Sequence, residues 1–293
     1  MPRRVSSSQL KNMIRQAEQK RRQAINKYNQ AARKYNSAVK RAVDNHNREV
    51  RAHNARVRAN RQRLRFELNR LAQRSATTTS HHVVEYRSSV QTLHRSYERL
   101  EDEVATRDLN PQTERIVDMS EIETANSVAV ADSLLSDAQG DGEAGDLGET
   151  SVTDELREID PDLDGRWRGA VFALSPMNPD AARHFCTSAR EIFVRILDVT
   201  APDAHVLASD PECPTHDGRP TRRAKVHYLL ARKGVGGGAL EDFVEEDMTN
   251  ILQLFRVFND GTHGGAGRFS IGQLVAIKRR VESGILFLHQ IAV

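Results

Sequence analysis

The chain has 293 residues, 38% of them hydrophobic but only 5% aromatic, and two cysteines, Cys186 and Cys213. Two cysteines in this length argue against a disulfide-stapled secreted module, and no run approaches the roughly 18 apolar residues of a membrane helix. The net charge of +3 conceals a division: Met1–Ser75 carries 21 Lys and Arg against four acids, a net +17, and the remainder carries −14.

The first residues, Met1-Pro-Arg-Arg-Val, bring charge but no apolar stretch behind it, so no signal peptide and a cytoplasmic location are expected. From about Ser8 to Arg74 there is neither Pro nor Gly, and Ala, Arg, Gln, Lys and Asn dominate, which predicts one continuous helix. A heptad seam runs through Asn29, Asn36, Val43, Val50, Val57, Leu64 and Leu71, with Ile25, Ala32, Val39, His46, His53 and Asn60 as its companions. Asn at such positions fixes register at some cost in stability. After the turn at 75–80, Val83, Tyr86, Val90, Leu93, Tyr97, Leu100 and Val104 keep a 3-4 spacing without a miss. The simplest reading is an antiparallel coiled-coil hairpin over residues 1–109. Its first helix is much the longer, so its N-terminal half calls for a second copy of the chain. The basic charge either contacts nucleic-acid phosphates or forms a solvated face on a dimerising coil.

Residues 110–164 turn acidic and Gly-containing and are expected to form a largely flexible linker, with room for a short helix between Glu114 and Leu135. From Trp167, expected as a core anchor, periodicity becomes globular, and a helical bundle is predicted over 165–293. Its helices are placed at Gly165–Leu174, Asn178–Val199, Thr221–Arg232, Leu240–Phe258 and from Ser270 nearly to the end, with no strand between them. Gly234-Val-Gly-Gly-Gly238 lacks the Gly-Lys-Ser/Thr ending and the preceding strand of a phosphate loop, and reads as a turn. Cys213 and His216, with His205 and Cys186 nearby in sequence, lack the second ligand pair of a zinc set, so neither metal nor cofactor is expected.

Chemistry concentrates between the last two helices, where Arg256 is followed by Asn259, Asp260 and His263 among glycines. A permanently charged guanidinium can grip a phosphate, and an imidazole can exchange a proton near neutral pH. Together they suit metal-free RNA cleavage through the 2′-hydroxyl; the alternative is a helix cap and a packed turn.

Arg256…His263 resembles the Arg-x4–6-His motif of the HEPN superfamily of all-α ribonucleases. Asn178-Pro-Asp-Ala-Ala-Arg183, Thr187-Ser-Ala-Arg-Glu191, Arg219-Pro-Thr-Arg-Arg223 and the terminal Phe269–Glu282 segment resemble the predicted nucleases associated with prokaryotic PIWI proteins. Val257 stands beside Arg256, where the motif usually has its polar residue. The resemblance, over about 165–293, implies a HEPN-like bundle that cleaves RNA in an anti-phage or toxin-like system, commonly as a dimer. It assigns His263 to acid–base work, Arg256 to the phosphate, and Asn259, Arg190 and Glu191 to polar support. Two other functions fit the same residues: a non-enzymatic coiled-coil assembly protein docking a defence-system partner, and a basic nucleic-acid-binding structural protein.

Overall fold

The computed structural model describes residues 7–73, 81–104, 111–135, 147–175, 177–235, 238–260 and 269–293. Its helices are α1 (Ser7–Gln73), α2 (His81–Val104), α3 (Pro111–Leu135), α4 (Thr153–Ile159), α5 (Pro161–Ala173), α6 (Ala181–Thr200), α7 (Asp203–Ser209), α8 (Arg222–Arg232), α9 (Ala239–Asp260) and α10 (Ile271–Ala292). The protein is all-α, as its sequence predicts, with one small exception. Thr215–His216 (β1) and Arg219–Pro220 (β2) pair antiparallel between α7 and α8, where no strand was expected. Asp217 and Gly218 turn this hairpin with φ of +52° and +75°, the left-handed region that two-residue hairpins require.

The chain divides into two units, Met1–Arg63 and Leu64–Val293. In the first, α1 is exposed almost throughout, and the seam residues Ile25, Val39, Val43 and Val50 face solvent. Among the described seam residues, those buried are Leu64 and Leu71, in the second unit.

In the second unit the predicted stripe of α2 is buried at Tyr86, Val90, Leu93, Tyr97 and Leu100. Its main partners are α9 and α3 rather than α1. Tyr97 meets the Phe243 ring edge-on at 6.3 Å, and the Tyr86 hydroxyl donates to the Ser127 carbonyl at 3.3 Å. A 3-4 spacing reports an apolar stripe but not what covers it; here a bundle covers it.

The larger difference concerns the acidic segment. Pro111–Leu135 is a 25-residue helix packed against α10 and α2. Its inward face holds Ile116, Val117, Val128 and Ala131, but also Ser120, Glu123, Thr124 and Ser127. The three hydroxyls donate back to carbonyls one turn earlier, at 2.8–2.9 Å, and so satisfy themselves within the helix. Glu123 is satisfied by Arg280 of α10, which is fully buried and also pairs with Asp247 of α9. Arg280 Nε donates to Ser127 Oγ at 2.7 Å. Asn250 Oδ1 lies 2.9 Å from Ser127 Oγ and shares that group's one hydroxyl hydrogen with the Glu123 carbonyl, while Asn250 Nδ2 donates to Ser89 Oγ at 2.9 Å. One buried polar network thus joins α2, α3, α9 and α10. Burial raises the pKa of both carboxyls, opposed by the Arg280 charge. With two acids around one guanidinium, a single proton makes the cluster neutral.

Around this network the core is apolar. Trp167 anchors it, as expected: its ring packs edge-on against Phe185 at 5.6 Å, and its indole N–H donates to Thr150 Oγ1 at 2.6 Å. Gly284 lets α10 approach α9 and α6, since a Cβ there would lie 2.7 Å from Ile251 Cδ1 and 3.0 Å from Phe193 Cζ. Most predicted helix ends shift by one to three residues. Asn178 does not cap α6 directly; its side chain accepts from the Asp180 N–H at 3.1 Å and turns the chain into the helix that starts at Ala181. Ser270 and Gln273 form the expected start of α10 as a reciprocal capping box.

Candidate nucleic-acid site

Three helices of the second unit carry arginines whose charges are linked through one of them, Arg222. On α6, Phe185, Ala189, Ile192, Phe193 and Ile196 point into the core, which leaves Arg190 on the outer face. The last turns of α9 bury Phe255 and Val257 and leave Arg256 exposed between them. The Phe193 and Phe255 rings, 6.2 Å apart and edge to face, hold these two helices together. Arg222 opens α8, just after Thr221, whose hydroxyl caps the helix by accepting from the Ala224 N–H at 3.3 Å.

Arg222 feels both of the others. Burial lowers its pKa, and the charges of Arg190 and Arg256 lower it further, with Glu245 opposing them. Among the described residues, none of the three guanidiniums forms an ion pair with a carboxylate; Arg256 reaches only the Gln253 side-chain oxygen, at 3.5 Å. Glu245 offsets only part of the repulsion that Arg222 feels from Arg190 and Arg256, and an anion with several acceptor oxygens, such as a phosphate, relieves the rest. Arg222 therefore belongs with Arg190 and Arg256. In sequence Arg222 is only one member of the family-like Arg219–Arg223 stretch, and nothing in local spacing relates it to positions 190 and 256.

Two grooves flank the cluster. One, of about 360 Å³, lies between α8 and α9 and is lined by Arg222, Arg223, Thr221, Val226, Glu245, Met248, Thr249 and Pro214. The other, of about 420 Å³, is lined by Arg166, Thr187, Arg190, Glu191, Val194, Arg195 and Asp198. Glu191 lies in this second groove, with its carboxylate 3.6 Å from Arg166 Nη1. Its nearest cation is thus on α5, not on α9. Asn259 sits in the final turn of α9, but its side chain lies outside the described residues, as does the whole of His263. Of the five residues singled out by sequence, Arg190 and Arg256 both act on the charge of Arg222, and Glu191 shares a groove with Arg190 but pairs with Arg166.

Metal-ligand chemistry lies elsewhere. Among the described residues, three ligand atoms come within 4.8 Å of one another at His81, His82 and Glu85, at the start of α2. The carboxylate of Glu85 already holds both imidazoles, at 3.4 and 3.1 Å. Cys213 is buried and His216 is exposed on β1. Burial raises the Cys186 thiol pKa far above its ordinary value, so it stays protonated and inert.

Residues 156–288 match the family model described as predicted pPIWI-associating nuclease. The matched segment starts in α4 and ends in α10, so it contains all three arginines of the cluster and both grooves. It bears out the family resemblance read from sequence. α1, α2 and α3 fall outside it. No curated protein and no solved structure matches the chain.

Proposed function

We propose that this protein is a metal-independent endoribonuclease with a HEPN-like catalytic motif, acting in the cytoplasm as the effector of a prokaryotic anti-phage or toxin-like system. The observation that carries the reading is that Arg222 feels the charges of both Arg190 and Arg256, beside two grooves, on the segment matched to a predicted nuclease family. Arg256 is followed seven residues later by His263. In the proposed reaction His263 takes the proton of the RNA 2′-hydroxyl. The 2′-oxygen bonds to phosphorus, the bond to the 5′-oxygen breaks, and that oxygen leaves as a hydroxyl after taking a proton from water. The arginines hold the phosphate oxygens as negative charge builds on them. Asn259 and Glu191 are supporting residues in this reading, Glu191 through Arg166 and the groove it shares with Arg190. The products are a cyclic 2′,3′-phosphate and a 5′-hydroxyl. The test is cleavage of single-stranded RNA in EDTA with analysis of the new ends. Cyclic phosphate ends and intact DNA are expected; activity that vanishes in EDTA contradicts the mechanism.

A second reading, a non-enzymatic assembly protein that docks a defence-system partner, is favoured by one observation. The heptad positions Ile25, Val39, Val43 and Val50 of α1 are apolar and exposed. The two readings are compatible if α1 assembles copies of a nuclease, so a homo-oligomer joined through α1 is part of the proposal.

A further inference from the structure

We infer that the groove between α8 and α9 is a nucleobase pocket, which seats one unpaired base of the substrate while the adjoining phosphate lies on the arginine cluster. The inference rests on the nuclease reading and adds how the substrate is gripped. Arg222 is the link, because it lines the groove and lies within electrostatic reach of Arg190 and Arg256. A ligand that spans both places must therefore carry an anionic group and a flat, partly apolar body within one residue's reach. A nucleotide of single-stranded nucleic acid has that form.

The groove suits the base in size and chemistry. Its volume of about 360 Å³ is at the lower end of the roughly 300–1,000 Å³ of small-ligand sites. Val226 and Met248 are buried and give it an apolar floor. At the rim, Glu245 is held by Arg223, whose Nη1 donates to Oε2 at 2.5 Å. Its carboxylate can accept only from donors, such as the N–H groups on a base edge. Thr249 is exposed at the mouth. A base paired in a duplex hides its edge and faces, so the groove selects for single strands, whose bases can be splayed out and held.

The test measures binding by the full-length His263→Ala protein, so that cleavage does not interfere. The probes are short single-stranded RNA and an abasic ribose-phosphate oligomer of equal length. The base-bearing strand is expected to bind roughly tenfold more tightly, the scale of a single held base. Thr249→Leu, which fills the mouth without changing charge or offering a stacking ring, should bring the RNA close to the abasic level and leave the abasic affinity unchanged. Equal binding of the two probes, or a Thr249→Leu protein that still separates them as before, would overturn the pocket. Wild-type cleavage with an insensitive Thr249→Leu variant removes the pocket and leaves the nuclease. A base-dependent affinity in a wild-type protein that cuts no RNA removes the nuclease and leaves the pocket.

Discussion

At the scale of single residues, Arg280 and the Arg222 cluster use the same side chain in opposite ways. Arg280 has lost its water and is answered by Glu123, Asp247 and Asn250. Removing it strands two carboxyls in the core, so Arg280→Met should destabilise the second unit by about 3–5 kcal/mol, measurable by urea unfolding. The network also sets a pH dependence. Burial pushes Glu123 up to about 8, so the folded state binds its proton more tightly than the unfolded state. The stability this contributes is present below the ordinary carboxylate pKa and lost as pH rises through the folded value. Unfolding should therefore become easier between about pH 4.5 and 8 from this group, and Glu123→Gln should flatten that part of the profile. The arginine cluster behaves differently, because Arg190, Arg222 and Arg256 repel one another at the surface. Arg222→Ala should leave stability unchanged or slightly raised while RNA binding falls, since repulsion from Arg190 and Arg256 is removed from the fold but a phosphate contact is lost from the complex. If Arg222→Ala unfolds the protein instead, the cluster is structural.

Among elements, α2 and α3 separate what spacing reveals from what it does not. The α2 stripe was legible residue by residue from Val83 to Val104, yet its partner was not. Periodicity places apolar groups on one face, and α1 and α9 both offer a helix to pack on. α3 was legible as a possible helix from Glu114 to Leu135, but its burial was not, because Ser120, Glu123, Thr124 and Ser127 share its buried face. Those residues count as solvated until Arg280, more than 150 positions away, is seen to meet Glu123 and Ser127. The arginine site was half legible: Arg190 and Arg256 carried family-like motifs, whereas Arg222 depended on three helices converging. A truncation follows from this packing. The fragment 64–293 should fold cooperatively, because it keeps α2 and α3. The fragment 110–293 contains the whole family-matched segment but loses the burial of Phe243 under Tyr97 and the Glu103 carboxylate that accepts from the Ala239 N–H at 2.7 Å. It should be molten or aggregated, which circular dichroism and thermal unfolding would report. A stable 110–293 fragment would show α2 to be dispensable.

For the whole molecule, a first unit of net positive charge with an exposed apolar seam accompanies a second unit that holds the candidate site. If the seam assembles copies, the full chain should sediment as a dimer or larger at micromolar concentration and 64–293 as a smaller species. A strictly monomeric full chain would leave the seam without a role in assembly. If the +17 of the first 75 residues meets phosphates, RNA affinity should fall steeply with salt, and more steeply for the full chain than for 64–293. The central claim, however, is catalytic, and one comparison tests it most directly. Wild-type, Arg256→Ala and His263→Ala proteins, matched for thermal stability, are given the same single-stranded RNA in EDTA, and cyclic phosphate ends are counted over time. The account predicts that both variants lose on the order of 10²–10⁴-fold in rate, the range expected when positioned acid–base catalysis is removed. Wild-type rates in the His263→Ala protein would contradict it.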